Sequence, residues 1–103
     1  MAVAQGQLAE AARAYGDGLA IAKQLAADDP TNTQWQRDLS ISYNKLGDVA
    51  ERQSKTAESV AYWKLALTVL SGIQARGLHL SPQDRQWLQR LREKVGARQR
   101  EPS

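Results

Sequence analysis

Residues 29–49 read DPTNTQWQRDLSISYNKLGDV, and they decide the fold because they combine a helix start with a long inward-facing stripe. Asp29 can accept hydrogen bonds from free amide groups, and Pro30 suits the first helical position, which needs no amide donor. The stripe then recurs at steps of three and four residues, at Trp35, Leu39, Ser42, Leu46 and Val49. This spacing predicts an amphipathic helix over residues 30–53, about five to six turns long.

The size and composition of the chain fit one small domain, residues 1–103. The absence of cysteine excludes a disulfide framework and thiolate metal sites, and it favours a reducing compartment. No apolar run in residues 1–27 is long enough for the core of a signal peptide, and no stretch approaches membrane-spanning length. We therefore expect a soluble cytoplasmic protein.

The same periodicity predicts three further helices, over residues 5–27, 57–76 and 82–96. Proline disfavours helical geometry in the residue before it, so the first helix is expected to end before Asp28-Asp29-Pro30. The polar residues after Gly96 are expected to form a mobile tail, 97–103.

The connections between these helices carry recognisable signals. Thr56 or Ser54 is expected to cap the third helix. Gly77 is expected to end that helix in a left-handed conformation, and Ser81-Pro82 resembles a second cap-plus-proline start. Short connections of this kind make neighbouring helices antiparallel.

Two glycines inside the predicted helices suggest close approach of a neighbouring helix. Gly47 directly follows the stripe residue Leu46. In the first helix, Gly18 is a better candidate than Gly16 for contact with a neighbouring helix. Glycine costs roughly 1 kcal/mol relative to alanine in a helix interior, so packing is expected to offset this cost.

The chain also repeats itself. Asp29-Pro30 and Trp35 recur as Ser81-Pro82 and Trp87, at an offset of 52 residues, and the pattern around Tyr15 recurs around Trp63 at an offset of 48. Helix pairs that repeat with such a period are typical of an α-solenoid. The recurrence favours a packing role for all three tryptophans over an exposed binding role.

These residues resemble the tetratricopeptide repeats, in particular a long-period bacterial variety. The family's Leu-Gly pair in the first helix of a repeat is matched by Leu46-Gly47, and its small–aromatic–small pattern in the second helix is matched by Ser59, Trp63 and Ala66. The resemblance covers roughly residues 5–95. It implies an all-α fold of antiparallel helix-turn-helix repeats, a solenoid of about four helices, that acts as a protein-interaction module.

In that family the first helices of the repeats line a concave groove. By resemblance, the polar faces of the second and fourth helices are the candidate surface for a protein or peptide partner. Its residues are Arg37, Asn44, Asp48, Glu51, Gln89, Arg92 and Glu93. The family's clamp for a peptide carboxylate is not evident, so recognition of a peptide C-terminus is not supported.

No catalytic, cofactor-binding or metal-binding pattern emerges from the sequence. The one histidine, His79, lies in a predicted linker, and Asp28-Asp29 lie at a helix end, where capping explains them. No glycine-rich phosphate loop follows a strand. We expect no enzyme activity, no cofactor and no metal.

Two alternatives to a scaffold for other proteins remain open. One is self-association as a homodimer, because the first and fourth helices each lack one partner helix in the repeat pattern. The residues expected there are Leu8, Ala12, Tyr15, Leu19, Trp87, Leu88 and Leu91.

The other alternative is a nucleic-acid accessory role. Lys and Arg balance Asp and Glu over residues 1–81, so the net charge of +3 arises in residues 82–103. The basic residues there are Arg85, Arg90, Arg92, Lys94, Arg98 and Arg100. Solvated charge at a helix end is the commoner explanation, and we expect no nucleic-acid binding.

Overall fold

The structure, a computed structural model, describes the backbone of residues 2–100 and the side chains of residues 6–97. It contains four α-helices: α1 (Ala2–Asp28), α2 (Thr33–Arg52), α3 (Thr56–Ala75) and α4 (Pro82–Arg100). No strand occurs over residues 2–100. The prediction of an all-helical chain with four helices is confirmed.

Each helix packs against the helix that precedes or follows it in the chain, and no non-consecutive pair has close backbone contacts within residues 2–100. Helix α2 is antiparallel to both of its neighbours. Near its start, Gln36 donates a hydrogen bond to the carbonyl of Ala26 near the end of α1. Along α3, Ser40 donates to the carbonyl of Ala66, whereas the later residue Gly47 contacts the earlier residue Trp63. The molecule is elongated, 45 × 31 × 20 Å, with a radius of gyration of 14.3 Å. A compact domain of this length would have a radius near 13 Å.

The start of α2 differs from the sequence expectation. The helix begins at Thr33, and Asn32 rather than Asp29 is its cap, with the Asn32 side chain accepting a hydrogen bond from the Trp35 amide at 3.1 Å. The Asp29 carboxylate instead accepts from the amide and hydroxyl groups of Thr31. Asp29 therefore stabilises the turn, and Pro30 lies in that turn outside the helix.

The end of α4 is a second difference. The helix continues through Gly96 to Arg100, beyond the end expected at residue 96. Alanine, arginine and glutamine are good helix formers, and positive charge near a helix C-terminus interacts favourably with the helix dipole. Residues 101–103 of the expected tail lie outside the described residues.

The ends of α2 and α3 use the same Schellman motif. At α2 the amide of Lys55 donates to the carbonyl of Ala50, and at α3 the amide of Leu78 donates to the carbonyl of Ile73. The left-handed residue is Ser54 in the first motif (φ 63°) and Gly77 in the second (φ 75°). Gly77 fulfils its expected role.

Neither Ser54 nor Thr56 caps α3. The N-cap position is Lys55, which makes no side-chain capping hydrogen bond. Ser54 is the left-handed residue that follows the end of α2, and Thr56 is the first residue inside α3. The turn is too short to leave either side chain at the capping position.

The core is centred on α3. Trp63, Ala66, Leu70 and Ile73 are at most 1% exposed. Gly47 of α2 packs directly on the Trp63 ring, since a Cβ at position 47 would lie 2.5 Å from Cδ1 and Nε1 of the indole. The close approach predicted at Gly47 is confirmed. The one predicted at Gly18 is wrong within the chain, because nothing lies within 4 Å of its Cβ position.

Trp63→Ala is expected to lower the free energy of unfolding by about 3–5 kcal/mol, because it leaves a large cavity under α2. Urea denaturation measures the loss. The control is Leu65→Ala on the same helix, where the side chain is 44% exposed and we expect a loss below about 1 kcal/mol. Equal losses in the two variants would contradict the packing described.

The two Schellman motifs allow a matched pair of changes. Ser54→Gly should raise the free energy of unfolding by roughly 0.5–1 kcal/mol, because glycine adopts positive φ without steric strain. Gly77→Ser should lower it by a similar amount. Thermal unfolding followed by circular dichroism tests both variants, and a destabilised Ser54→Gly would show that the Ser54 side chain makes a compensating contact.

Candidate functional site

Helices α2 and α4 run parallel on the same side of α3 and are joined by two side-chain links. Near the start of both helices, Nε of Arg37 lies 2.9 Å from Oδ1 and 3.1 Å from Oδ2 of Asp84. About three turns further along both helices, Nζ of Lys94 lies 3.0 Å from Oδ1 of Asp48. The two links hold α2 and α4 level with each other although their backbones are not in close contact.

The Arg37–Asp84 link is the more buried one. The Asp84 side chain is 9% exposed and the Arg37 side chain is 36% exposed. The Asp84 amide donates to Oγ of Ser81 at 3.1 Å, which places the carboxylate in the first turn of α4. A buried carboxylate needs a paired cation, so Arg37 has a structural role here.

The second link also fixes the central tryptophan. Oδ1 of Asp48 accepts a hydrogen bond from Nε1 of Trp63 at 3.2 Å as well as from Lys94. Nζ of Lys94 lies 4.3 Å from the centroid of the Trp63 ring, in cation–π range. One carboxylate and one ammonium therefore connect α2, α3 and α4.

A shallow groove of about 410 Å³ lies between the two links. It is lined by Asn44 on α2 and by Trp87, Arg90, Leu91, Glu93 and Lys94 on α4. Leu91 is fully buried, Trp87 is half-buried, and Arg90 is exposed with no ion pair to any described residue. The groove thus combines apolar, amide and charged groups.

Asn44 has the least satisfied side chain of the groove. Its Oδ1 is buried and has no hydrogen-bond partner, and it is the one such side-chain atom among residues 6–97. An unsatisfied buried acceptor costs about 1–3 kcal/mol, so it requires a physical reason. Because the oxygen is buried, a donor from a bound molecule would reach it only after the Asn44 side chain turned toward the groove.

The residues predicted to bind a partner take part in different contacts. Arg37 and Asp48 are engaged in the two links, whereas Asn44 and Glu93 line the groove. Nε2 of Gln89 donates to Glu93 at 3.4 Å on the outer side of α4. Glu51 and Arg92 are exposed and do not line the groove.

Two residues predicted for self-association are wrongly assigned. Leu88 is 3% exposed and Leu91 is 0% exposed, because both pack into the core under α3. Trp87 is half-buried against the same core and contributes its remaining surface to the groove.

The predicted residues on α1 face α2. Leu8, Ala12, Tyr15 and Leu19 are each half-buried, and Nζ of Lys45 lies 5.4 Å from the centroid of the Tyr15 ring. The large exposed apolar residues of α1 are instead Ile21 and Leu25.

Sequence reasoning missed Arg90, Lys94 and Asp84 as parts of this region. Trp87, Arg90, Leu91 and Lys94 recur at helical spacing, so they share one face of α4 and the signal was present. Asp84 lies in the first turn of α4, where interaction with the helix dipole is enough to account for a carboxylate, so the sequence gives no sign of its second role as the partner of Arg37.

Metal-binding clusters and membrane-spanning helices do not occur among the described residues. No group of three or more His, Cys, Asp or Glu residues in this part of the chain could hold a metal ion. His79 is exposed in the connection between α3 and α4. None of the helices in the described part of the chain is both long and apolar enough to cross a bilayer.

Comparison with known proteins found no matching family model, no matching curated protein and no matching solved structure.

Double-mutant cycles should separate the two links. We expect a coupling energy of about 1–3 kcal/mol between Arg37 and Asp84, measured with Arg37→Gln and Asp84→Asn, because the carboxylate is buried. For Asp48 and Lys94, which are 47% and 39% exposed, solvent screening should limit the coupling to about 0.2–1 kcal/mol. A larger coupling energy for Asp48–Lys94 than for Arg37–Asp84 would contradict the assignment of Arg37–Asp84 as the more buried link.

Proposed function

We propose that this chain is a non-catalytic protein-interaction scaffold of the tetratricopeptide type, and that the groove between α2 and α4 binds an extended segment of a partner protein. The observation that carries the proposal is the groove itself, where the side-chain amide group of Asn44 lies beside the half-buried ring of Trp87. A peptide has backbone N–H donors and apolar side chains, which match these two groups.

Several features support a solenoid of this type. Each helix packs on its neighbours in the chain, and the molecule is elongated, as in stacked helical repeats. Gly47 of the Leu46-Gly47 pair in α2 packs on Trp63 of α3, the aromatic residue expected in the second helix of a repeat. Two first-type helices, α2 and α4, lie side by side, as they would along a concave surface.

The groove suits a short segment. Ligand pockets commonly have volumes of about 300–1,000 Å³, and this one lies at the low end of that range. A backbone N–H of the segment would donate to Asn44, and an apolar side chain would cover Trp87. Arg90 and Glu93 at the rim would then select for charges on the segment.

A nucleic-acid role receives less support. Lys94 is already held by Asp48 and by the Trp63 ring, which removes one cation from the set that would contact phosphates. The absence of cysteine fits a reducing compartment, and we propose that the scaffold acts in the cytoplasm.

The test uses Asn44→Leu, which removes the buried oxygen and retains the side-chain volume. Removing an unsatisfied buried acceptor should leave the free energy of unfolding unchanged or raise it by about 1 kcal/mol. Peptides selected on the intact chain from a random library should lose at least tenfold in affinity toward this variant, as measured by isothermal titration calorimetry.

Lys64→Ala, an exposed change on α3, is the matched control and should keep full affinity. The proposal fails if Asn44→Leu is strongly destabilised, because Asn44 would then be structural. It also fails if all selected peptides bind the variant and the intact chain equally. Duplex or single-stranded oligonucleotides that bind with micromolar affinity at physiological salt would favour the nucleic-acid alternative.

A further inference from the structure

Helix α1 presents an uncovered apolar stripe. Ile21 is 64% exposed and Leu25 is 37% exposed, and they are two of the three large apolar side chains exposed in the described part of the chain. With Gly18 they line a groove of about 200 Å³ whose other wall includes Trp35 of α2. Exposed apolar groups beside a groove are typical of an interaction surface.

The internal repeat shows that the equivalent face of α3 is covered by a helix. At the offset of 48 residues, Gly18 and Leu25 correspond to Ala66 and Ile73 of α3, which are both 0% exposed. On α3 this face packs against α2, where Oγ of Ser40 donates to the carbonyl of Ala66 at 2.8 Å. The equivalent face of α1 lacks such a covering helix within residues 2–100.

Gly18 is a second, independent feature of the stripe. Gly47 is explained by the Trp63 ring, but no neighbouring part of the described chain lies within 4 Å of the Cβ position of Gly18. Glycine inside a helix lowers helix stability, and its advantage is close backbone approach. Gly18 therefore leaves room on the stripe for the close approach of an element outside the described residues.

The outer surface of α4 does not provide that neighbour. Between residues 83 and 93 its exposed residues are all polar or charged: Gln83, Arg85, Gln86, Gln89 and Arg92, together with Arg90 and Glu93 at the rim of the groove. Such a surface resembles the polar outer face of a terminal repeat and disfavours head-to-tail stacking of α4 onto α1.

We propose that the stripe formed by Ala11, Ala14, Gly18, Ile21 and Leu25 pairs with the same stripe of a second copy, antiparallel, about a twofold axis at Gly18. The stripe follows the 3-4 spacing of a helix-pairing seam and contains no charged residue. Around this axis each Leu25 lies opposite Ala11 of the other copy, so large side chains meet small ones. Closed twofold pairing is the commonest form of homo-oligomer.

The size of the contact sets the expected strength. A single helix pair buries less accessible surface than the roughly 1,200–2,000 Å² that a stable complex buries. The dissociation constant of the dimer should therefore be in the micromolar range. It uses a different surface from the groove between α2 and α4. Either proposal can therefore fail while the other stands.

Sedimentation equilibrium on the intact chain should show a monomer–dimer equilibrium between about 1 and 300 μM. Ile21→Glu/Leu25→Glu should raise the dissociation constant by at least 100-fold, because it places charges in the seam. Leu65→Glu is the matched control, since Leu65 is also exposed and lies on α3. It should leave the dissociation constant within about twofold.

Circular dichroism establishes that each variant is folded. A monomer mass for the intact chain at the highest concentration would overturn the proposal. So would a dimer that the double change does not affect, or a mass that grows beyond the dimer.

Cross-linking locates the axis, because the chain has no cysteine of its own. Gly18→Cys places two thiols beside the axis and should form a covalent dimer rapidly under mild oxidation, in which two thiols lose two electrons and two protons to added oxidised glutathione. Ala20→Cys, exposed on the other side of α1, is the control and should react at least tenfold more slowly. Equal rates at the two positions would exclude an axis at Gly18.

Discussion

The contact between Gly47 and the Trp63 ring is the constraint on which the rest of the structure depends. A Cβ atom at position 47 would lie 2.5 Å from the indole, so the spacing of α2 and α3 requires glycine there. With the ring in this position, Nε1 of Trp63 donates a hydrogen bond to Asp48, and Nζ of Lys94 lies over the face of the ring. The packing contact between α2 and α3 therefore places the two groups, the Asp48 carboxylate and the Trp63 ring, that Lys94 of α4 contacts.

The two copies of the repeat are unequal in a way that separates their roles. In the second copy, α3 is covered on both sides and its central residues are fully buried. In the first copy, Tyr15 replaces the tryptophan and Gly18 replaces Ala66, and α1 is covered on one side. The second copy thus supplies most of the core, whereas the first leaves an apolar stripe open. The unsatisfied oxygen of Asn44 lies apart from that stripe, between α2 and α4.

The sequence was sufficient to predict the helices and the contact at Gly47, because periodicity and an interior glycine are local signals. It was insufficient for the caps of α2 and α3, where several polar residues compete within a short turn and chain geometry selects among them. The groove was predicted only in part, since Arg37 and Asp48 pair with Asp84 and Lys94 far away in sequence. Gly18 shows the same limit: a glycine suggests a close neighbour but does not identify the molecule that provides it.

The most direct test of this account is a nuclear magnetic resonance measurement on the isotope-labelled chain. Nuclear Overhauser effects should connect the Hα protons of Gly47 to the Hδ1 and Hε1 protons of the Trp63 indole, and the Hε protons of Lys94 to the face of the same ring. The Gly47 Hα resonances should also be displaced by the ring current. Gly47 protons with ordinary shifts and no such effects to Trp63 would contradict the packing from which the groove and the core are derived.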